Sequence, residues 1–351
     1  MKSTFLKDDV VLLLKDITGL IEPLPAEKRE RNIQCGMHYS EMLPKEYNPT
    51  EEYLKIYENA LKIFGRPTAD AVVAVSEKIV SAKGKDVVIV SLARAGTPTG
   101  ILISRYIRKK YGYRCPHFSI SIIRDKGIDK NALQYILNLY PAECIQFVDG
   151  WTGKGTIFKE LKKEISGIDG LSDSFAVLAD PAYLTDMCGT HEDILIPGSC
   201  LNSTVCGLIS RTLLRKDIIG SDDFHGAAYY KELECEDKTY EYIDHIEALF
   251  RTTPLSEKSS GNDYNSGIND IKMISEKYSI ENINYIKPGI GETTRVLLRR
   301  IPWKIVIDKR YRNSIELEHI KQLITEKGGG IEYLTLNNYK CCGLIKQLSD
   351  I

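Results

Sequence analysis

Cys144-Ile-Gln-Phe-Val-Asp-Gly-Trp-Thr-Gly-Lys-Gly-Thr156 decides how this chain is read, because it runs from a strand through a glycine-rich loop into a helix. The apolar run 144–148 has strand composition, and 156–165 carries apolar residues at helical spacing. Between them Gly150, Gly153 and Gly155 let the backbone approach a ligand, Thr152 and Thr156 offer hydroxyl donors, and Lys154 adds a cation. Backbone N–H groups in such a turn, with the positive end of the following helix, favour an anion such as phosphate. Asp149 stands at the carboxyl end of the strand, where open α/β sheets bind ligands, and is placed to hold ribose hydroxyls or help bind Mg²⁺. The segment falls short of a P-loop: Gly155 follows Lys154 where Ser or Thr would stand, and the spacing is short.

Outward from this loop the alternation continues. Strands are expected at 86–92, 117–123, 144–148, 175–179 and 193–196, with helices at 100–110, 130–139, 156–165 and 203–214. This predicts an α/β fold with a mainly parallel sheet flanked by helices. Residues 1–85 read as mostly helical, most clearly at 51–64 after the turn Asn48-Pro49-Thr50. Residues 251–270 are rich in Ser, Gly, Asn and Asp and too polar for a core. Beyond them a helix at 292–299, strand 303–307, helix 315–326, strand 331–334 and a last helix near 342–348 predict a small α/β sandwich. The expected units are 1–250 and 283–351, with a linker at 251–282.

Composition sets outer limits. The chain has 351 residues, 47 Lys+Arg against 48 Asp+Glu, and 43% hydrophobic residues. This is enough for two packed cores, and it excludes disorder, collagen-like repeats and a polycationic nucleic-acid coat. No apolar run approaches the ~20 residues of a membrane-spanning helix, and Asp8, Asp9 and Asp16 around the first apolar stretch spoil a signal peptide. Nine scattered cysteines with no CxxC pair argue against a zinc ribbon or disulfide scaffold, so a reducing cytoplasm is the expected location.

Phe147-Val148-Asp149 leading to Gly155-Thr156 resembles the phosphoribosyl-diphosphate loop of phosphoribosyltransferases. Val148 stands where that family usually has a second acid, and Lys154 where a small residue is common. Val88-Ile-Val-Ser-Leu-Ala-Arg-Ala-Gly-Thr-Pro-Thr-Gly100 is another strand, loop and helix, and its Leu92–Gly96 portion resembles the family's pyrophosphate loop. The resemblance implies that Arg94, Ala95 and Gly96 meet the diphosphate together with Mg²⁺. It implies that Gly150, Thr152, Gly153, Lys154, Gly155 and Thr156 hold the 5-phosphate, and Asp149 the ribose and metal. Arg124, Asp125 and Lys126, after the strand 117–123, match the place of a mobile catalytic hood. In the loop 222–227 Phe224 is placed to stack on a base while Asp223 and His225 read its edge. The compact polar run His38-Tyr39-Ser40-Glu41 either caps the sugar or base pocket or organises its own turn. The implied reaction is attack of a nucleobase-like acceptor on C1 of 5-phosphoribosyl diphosphate, or its reverse. A degenerate transferase fold that senses a nucleotide is the non-catalytic alternative.

Four segments together resemble one bacterial family over roughly residues 20–250. They are Ile33-Gln-Cys-Gly-Met-His-Tyr-Ser-Glu-Met-Leu-Pro44, Ser91–Gly96, Val148–Thr156 and Ile196-Pro-Gly-Ser-Cys-Leu-Asn-Ser-Thr-Val205. The resemblance is to the StiP family, phosphoribosyltransferase-like proteins of tellurite-resistance and stress gene clusters that also carry the label cysteine protease. A cysteine nucleophile needs a histidine in reach and an orienting Asn or Asp. The candidates are Cys35 with His38, and Cys200 with His191 and Asn202; neither has a papain-like or caspase-like local signature.

Tyr285-Ile-Lys-Pro-Gly-Ile-Gly-Glu-Thr-Thr-Arg-Val-Leu-Leu-Arg-Arg300, with 303–308 and 339–344, resembles the Pelota-type RNA-binding domain. The resemblance implies contact with structured RNA by Lys287, Gly289, Gly291, Glu292, Thr293 and Arg295. Docking of a protein is the alternative, since the net charge is near zero.

Overall fold

The computed structural model describes residues 1–251 and 267–347. The expected linker at 252–266 and the end of the expected last helix, at 348, lie outside the described residues.

The first sheet has seven strands, ordered Val11–Leu12, His117–Ile123, Val88–Ala93, Ile145–Trp151, Phe175–Ala179 and Cys188–Thr190, with Gly127–Ile128 paired beside His117–Ile123. All pairings are parallel except that last one. Every residue of His117–Ile123 and Phe175–Ala179 is buried, as a parallel sheet covered on both faces requires. The register sets Ser91 beside Ser119 and Val148, and Phe147 beside Phe175, so the carboxyl ends of the central strands finish together.

The helix expected at 51–64 runs as Glu51–Lys83, starting where the Thr50 side chain accepts from the Tyr53 N–H. It continues through Pro67 although proline removes a hydrogen bond and costs ~3 kcal/mol in a helix interior. Burial of Tyr57, Leu61 and Phe64 on one side of that proline and Val72, Val75 and Ile79 on the other outweighs the penalty.

Several expectations are corrected. The edge strand is Cys188–Thr190 and not 193–196. Residues 203–214 are not a helix: after a 3₁₀ turn at Ser203–Val205 the chain extends, and Ser210 N and Leu213 N donate to Ala228 O and Gly226 O. Part of 1–85 is extended, at Val11–Leu12 and Lys15–Asp16. Part of the stretch read as linker is the helix Gly267–Lys277, whose Ile271 and Ile274 join the core of the second sheet.

That second sheet has the order Ile286–Pro288, Cys341–Ile345, Pro302–Asp308 and Gly330–Leu334. Cys341–Ile345, where a helix was expected, is a fully buried strand antiparallel to both neighbours. A five-residue apolar run has no periodicity to separate strand from helix, and its position between two strands decides. Helices Ile290–Arg299 and Glu318–Glu326 pack over the sheet. No helix among the described residues is long and apolar enough to cross a membrane.

Candidate functional site

The loop after Ile145–Trp151 faces the start of helix Ile290–Arg299. Gly291 sits where a Cβ would come within 2.2 Å of the Trp151 ring, so only glycine lets the helix seat on the indole. Arg295 lies 4.5 Å over that ring and pairs with Glu292 at 3.0 Å. Asp193 joins the halves from the other side, accepting from Ile290 N at 3.0 Å and Lys340 N at 2.9 Å. Tyr339 adds a bond from its hydroxyl to Gly153 O at 3.2 Å.

Between the halves lies a cavity of about 240 Å³. Asp149, Thr152, Gly153, Lys154, Gly155 and Thr156 line one wall, and Lys287, Glu292, Arg295, Arg299 and Arg300 the other, with Tyr39, Arg124 and Arg211 at the side. Helix Thr156–Ile165 has Gly155 as its N-cap, at φ +80° with no side-chain cap, and Gly155 and Thr156 at this positive helix end line the cavity. Burial, with the neighbouring Lys287, pulls the Lys154 ammonium down to about 7. Burial pulls Lys287 to about 8 and, with Arg29, Arg211 to about 9. Burial also raises the Asp149 carboxyl to about 6, against the pull of Arg295.

Of the residues expected at the phosphate, Thr152, Gly153, Lys154, Gly155 and Thr156 line this cavity with Asp149, and Gly150 does not. Arg124 joins them, its N–H donating to the Tyr39 hydroxyl at 2.8 Å. Other candidates are placed elsewhere. Arg94 is buried in an ion pair with Glu46 at 2.9 Å and donates to Ile209 O, so its fork is already occupied. Ala95 and Gly96 do not line the cavity; Gly96 packs on the Asp149 backbone. Asp125 and Lys126 are exposed at a tight hairpin between paired strands, a short turn where a hood was expected. Asp223 pairs with Lys15, Phe224 packs edge-on against Tyr135, and His225 is buried on Ser121, so none of the three lines the cavity. Gly289, Gly291 and Thr293 are buried against the first half or their own sheet. Mg²⁺, expected at Asp149, would find there one carboxylate whose Oδ1 accepts from Gly150 N at 2.7 Å, the cavity's other carboxylate, Glu292, being paired with Arg295. That set fits Mg²⁺ only where phosphate oxygens of a ligand complete its shell.

Thr152, read as a phosphate donor, instead donates to the buried Asp180 carboxylate at the end of Phe175–Ala179. Asp180 also accepts from Leu184 N at 2.6 Å and Thr185 N at 2.9 Å. Thr152→Val is expected to lower stability by about 1–3 kcal/mol, because it strands a buried carboxylate oxygen; urea unfolding at constant m-value checks this.

Asp180 has a second role in the geometry. His191 Nδ1 lies 3.0 Å from Asp180 O and 3.5 Å from its carboxylate, which puts the ring proton on Nδ1. Nε2 then faces Cys188 Sγ at 3.5 Å. Among the described residues Cys188 is the one cysteine with a histidine nitrogen in hydrogen-bond reach. The Asp180 hydrogen bond, followed by that to Cys188, raises the His191 imidazole to about 11. The Tyr183 ring stacks on His191 with centroids 4.2 Å apart. This arrangement was missed in the sequence, where His191 was matched to Cys200. Cys200 is buried with its thiol pushed up by desolvation, and Cys35 is exposed on a turn. The signal available was Cys188-Gly-Thr-His191 beside a strand ending in Asp180, and it is faint because nothing local ties Asp180 to it. The same three donor groups lie within 4.8 Å of one another, close enough for a thiophilic cation.

Comparison with known proteins agrees with the family resemblance. Residues 3–247 match the family described as tellurite-like stress resistance cysteine protease StiP. Residues 265–347 match the PELOTA RNA binding domain. A protein of Acinetobacter baylyi named cysteine protease StiP is 32% identical over 341 residues, covering 91% of this chain and 88% of that protein. None of these names mentions phosphoribosyl transfer.

Proposed function

The chain belongs to the StiP family, and from that premise we propose that it is a cysteine-dependent peptidase with Cys188 as nucleophile, His191 as its base and Asp180 as the group that orients the imidazole. The observation that carries this reading is the Cys188–His191–Asp180 geometry. In the reaction the Cys188 sulfur attacks the scissile carbonyl carbon, the C–N bond breaks, and His191 passes the thiol proton to the leaving amine. Water then hydrolyses the thioester, with His191 taking its proton. Cys188 is 1% exposed, so a substrate reaches it only after a local opening. We assign that opening to the turn after Asp180, where Tyr183 holds φ +55°, a region costly for a bulky residue. The test is hydrolysis of unfolded casein by the full chain. Blockage by iodoacetamide with indifference to EDTA supports the reading. Loss on chelation would instead make Cys188, His191 and Asp180 metal ligands.

The cavity beside the 149–156 loop favours a second reading, binding of a phosphoribosyl compound with or without transfer. Pyrophosphate release from phosphoribosyl diphosphate by a Cys188→Ala protein would establish transfer chemistry independent of the cysteine.

A further inference from the structure

The cavity between the halves has a charge imbalance that its own structure leaves unanswered. Arg124, Lys154, Arg211, Lys287, Arg295, Arg299 and Arg300 line it, against Asp149 and Glu292. Arg295 is matched by Glu292, Arg300 by Glu30 at 2.5 Å and Arg124 by the exposed Asp125. Among the described residues none of Lys154, Arg211, Lys287 and Arg299 has a carboxylate at ion-pair distance. Arg211 rests over the Tyr39 ring at 4.2 Å, and Lys154 donates to the Ile283 and Ile286 carbonyls. Arg299 bonds Asn202 and keeps a buried Nε without a partner. Lys154, Arg211, Lys287 and Arg299 are each half-buried, and crowding partly desolvated cations around one cavity without counter-ions is unfavourable, so the protein gains when an anion enters.

We propose that the C-terminal unit closes this cavity as a site for a small ligand with two or more phosphates, and that its basic edge serves that ligand and not RNA. The size supports a small ligand, since about 240 Å³ lies just below the roughly 300–1,000 Å³ typical of small-molecule pockets. The placement argues against RNA, because Gly291 is filled by Trp151 and the basic residues point between the halves and not outward. More than one phosphate is indicated because the unmatched cations come from both walls, Lys154 on one and Lys287 and Arg299 on the other. The proposal is independent of the cysteine chemistry and requires no transfer step.

The test uses the full chain carrying Cys188→Ala, so failure of the peptidase reading does not touch it. Pyrophosphate, ADP, sulfate and an RNA hairpin without terminal phosphates are titrated by calorimetry and thermal shift. Pyrophosphate or ADP is expected to bind and raise the melting temperature, and Lys287→Met with Arg211→Gln to weaken binding about 10- to 100-fold. A structural control is built in: Lys287→Met alone should raise the melting temperature of the ligand-free protein while shrinking the ligand-induced shift. A cation that merely supports the fold would instead lower the ligand-free value, and that result overturns the proposal. So does an equal shift with sulfate, which would mean generic ionic binding. Hairpin binding that the same substitutions abolish would also overturn it, by making the edge an RNA surface.

Discussion

Cys188→Ala should lose on the order of 10⁴-fold or more of the peptide-hydrolysing activity, with only a small fall in melting temperature. Removing a nucleophile leaves only whatever binding and polarisation the site retains, and losing one buried sulfur is a modest packing defect. His191→Gln should lose nearly as much, and the double variant no more than either single, because nucleophile and base act as one unit. Asp180→Asn should behave differently. Its carboxylate anchors Thr152, Leu184 and Thr185 as well as facing His191, so a drop in stability should accompany the loss of rate. The pH profile offers a check that a structural cysteine would not pass. Its hydrogen bond to Asp180, with the contact to Cys188, holds the His191 proton to about 11 in place of 6.5. The alkaline limb of activity should therefore lie well above neutrality, and Asp180→Asn should bring it down. Cys35→Ser and Cys200→Ser should leave the rate unchanged. If either removed it while Cys188→Ala did not, the assignment would fail.

The fold was largely legible because strands of a covered parallel sheet are near-continuous apolar runs, and helices such as Thr156–Ile165 and Ile290–Arg299 carry a clear amphipathic period. The 144–156 loop announced its own strand–turn–helix form, and seven of its residues, Asp149 and 151–156, do face a cavity. What could not be read was tertiary choice. Arg94 looks like a free fork in sequence, but Glu46, 48 residues earlier, takes it in the folded chain. Thr152 looks like a phosphate donor, but Asp180 lies 28 residues on in the neighbouring strand and takes its hydroxyl. Arg211 fell in a stretch read as helix, so its entry into the cavity had no local signal. His191 was matched to Cys200 and Asn202 in the sequence, and its partner Cys188 lies on the edge strand Cys188–Thr190, which was expected at 193–196.

Glu46→Ala is expected to destabilise the protein by about 3–5 kcal/mol, the usual result of stripping one partner from a buried ion pair. The side chains of Arg94 and Glu46 are each 3% exposed, so neither charge can fall back on water. Burial alone would lower the Arg94 pKa, yet the Glu46 carboxylate more than offsets it and holds the guanidinium firmly charged. With Glu46 gone that charge keeps only Ile209 O as a direct partner, and its Nε is already without one. Glu46→Gln should be milder, since the amide oxygen can still accept. Replacing both residues, Arg94→Met with Glu46→Leu, should recover most of the loss, because a matched apolar pair needs no counter-charge. Denaturant unfolding of the wild type, Arg94→Met, Glu46→Leu and the double variant yields the coupling directly. The same set decides what Arg94 is for. If it met a diphosphate, as its loop resembles, the apolar double variant would fold but lose pyrophosphate or ADP binding. The buried pairing predicts the reverse: binding survives, because the unmatched cations that face the cavity are Lys154, Arg211, Lys287 and Arg299, and Arg94 lies outside its lining.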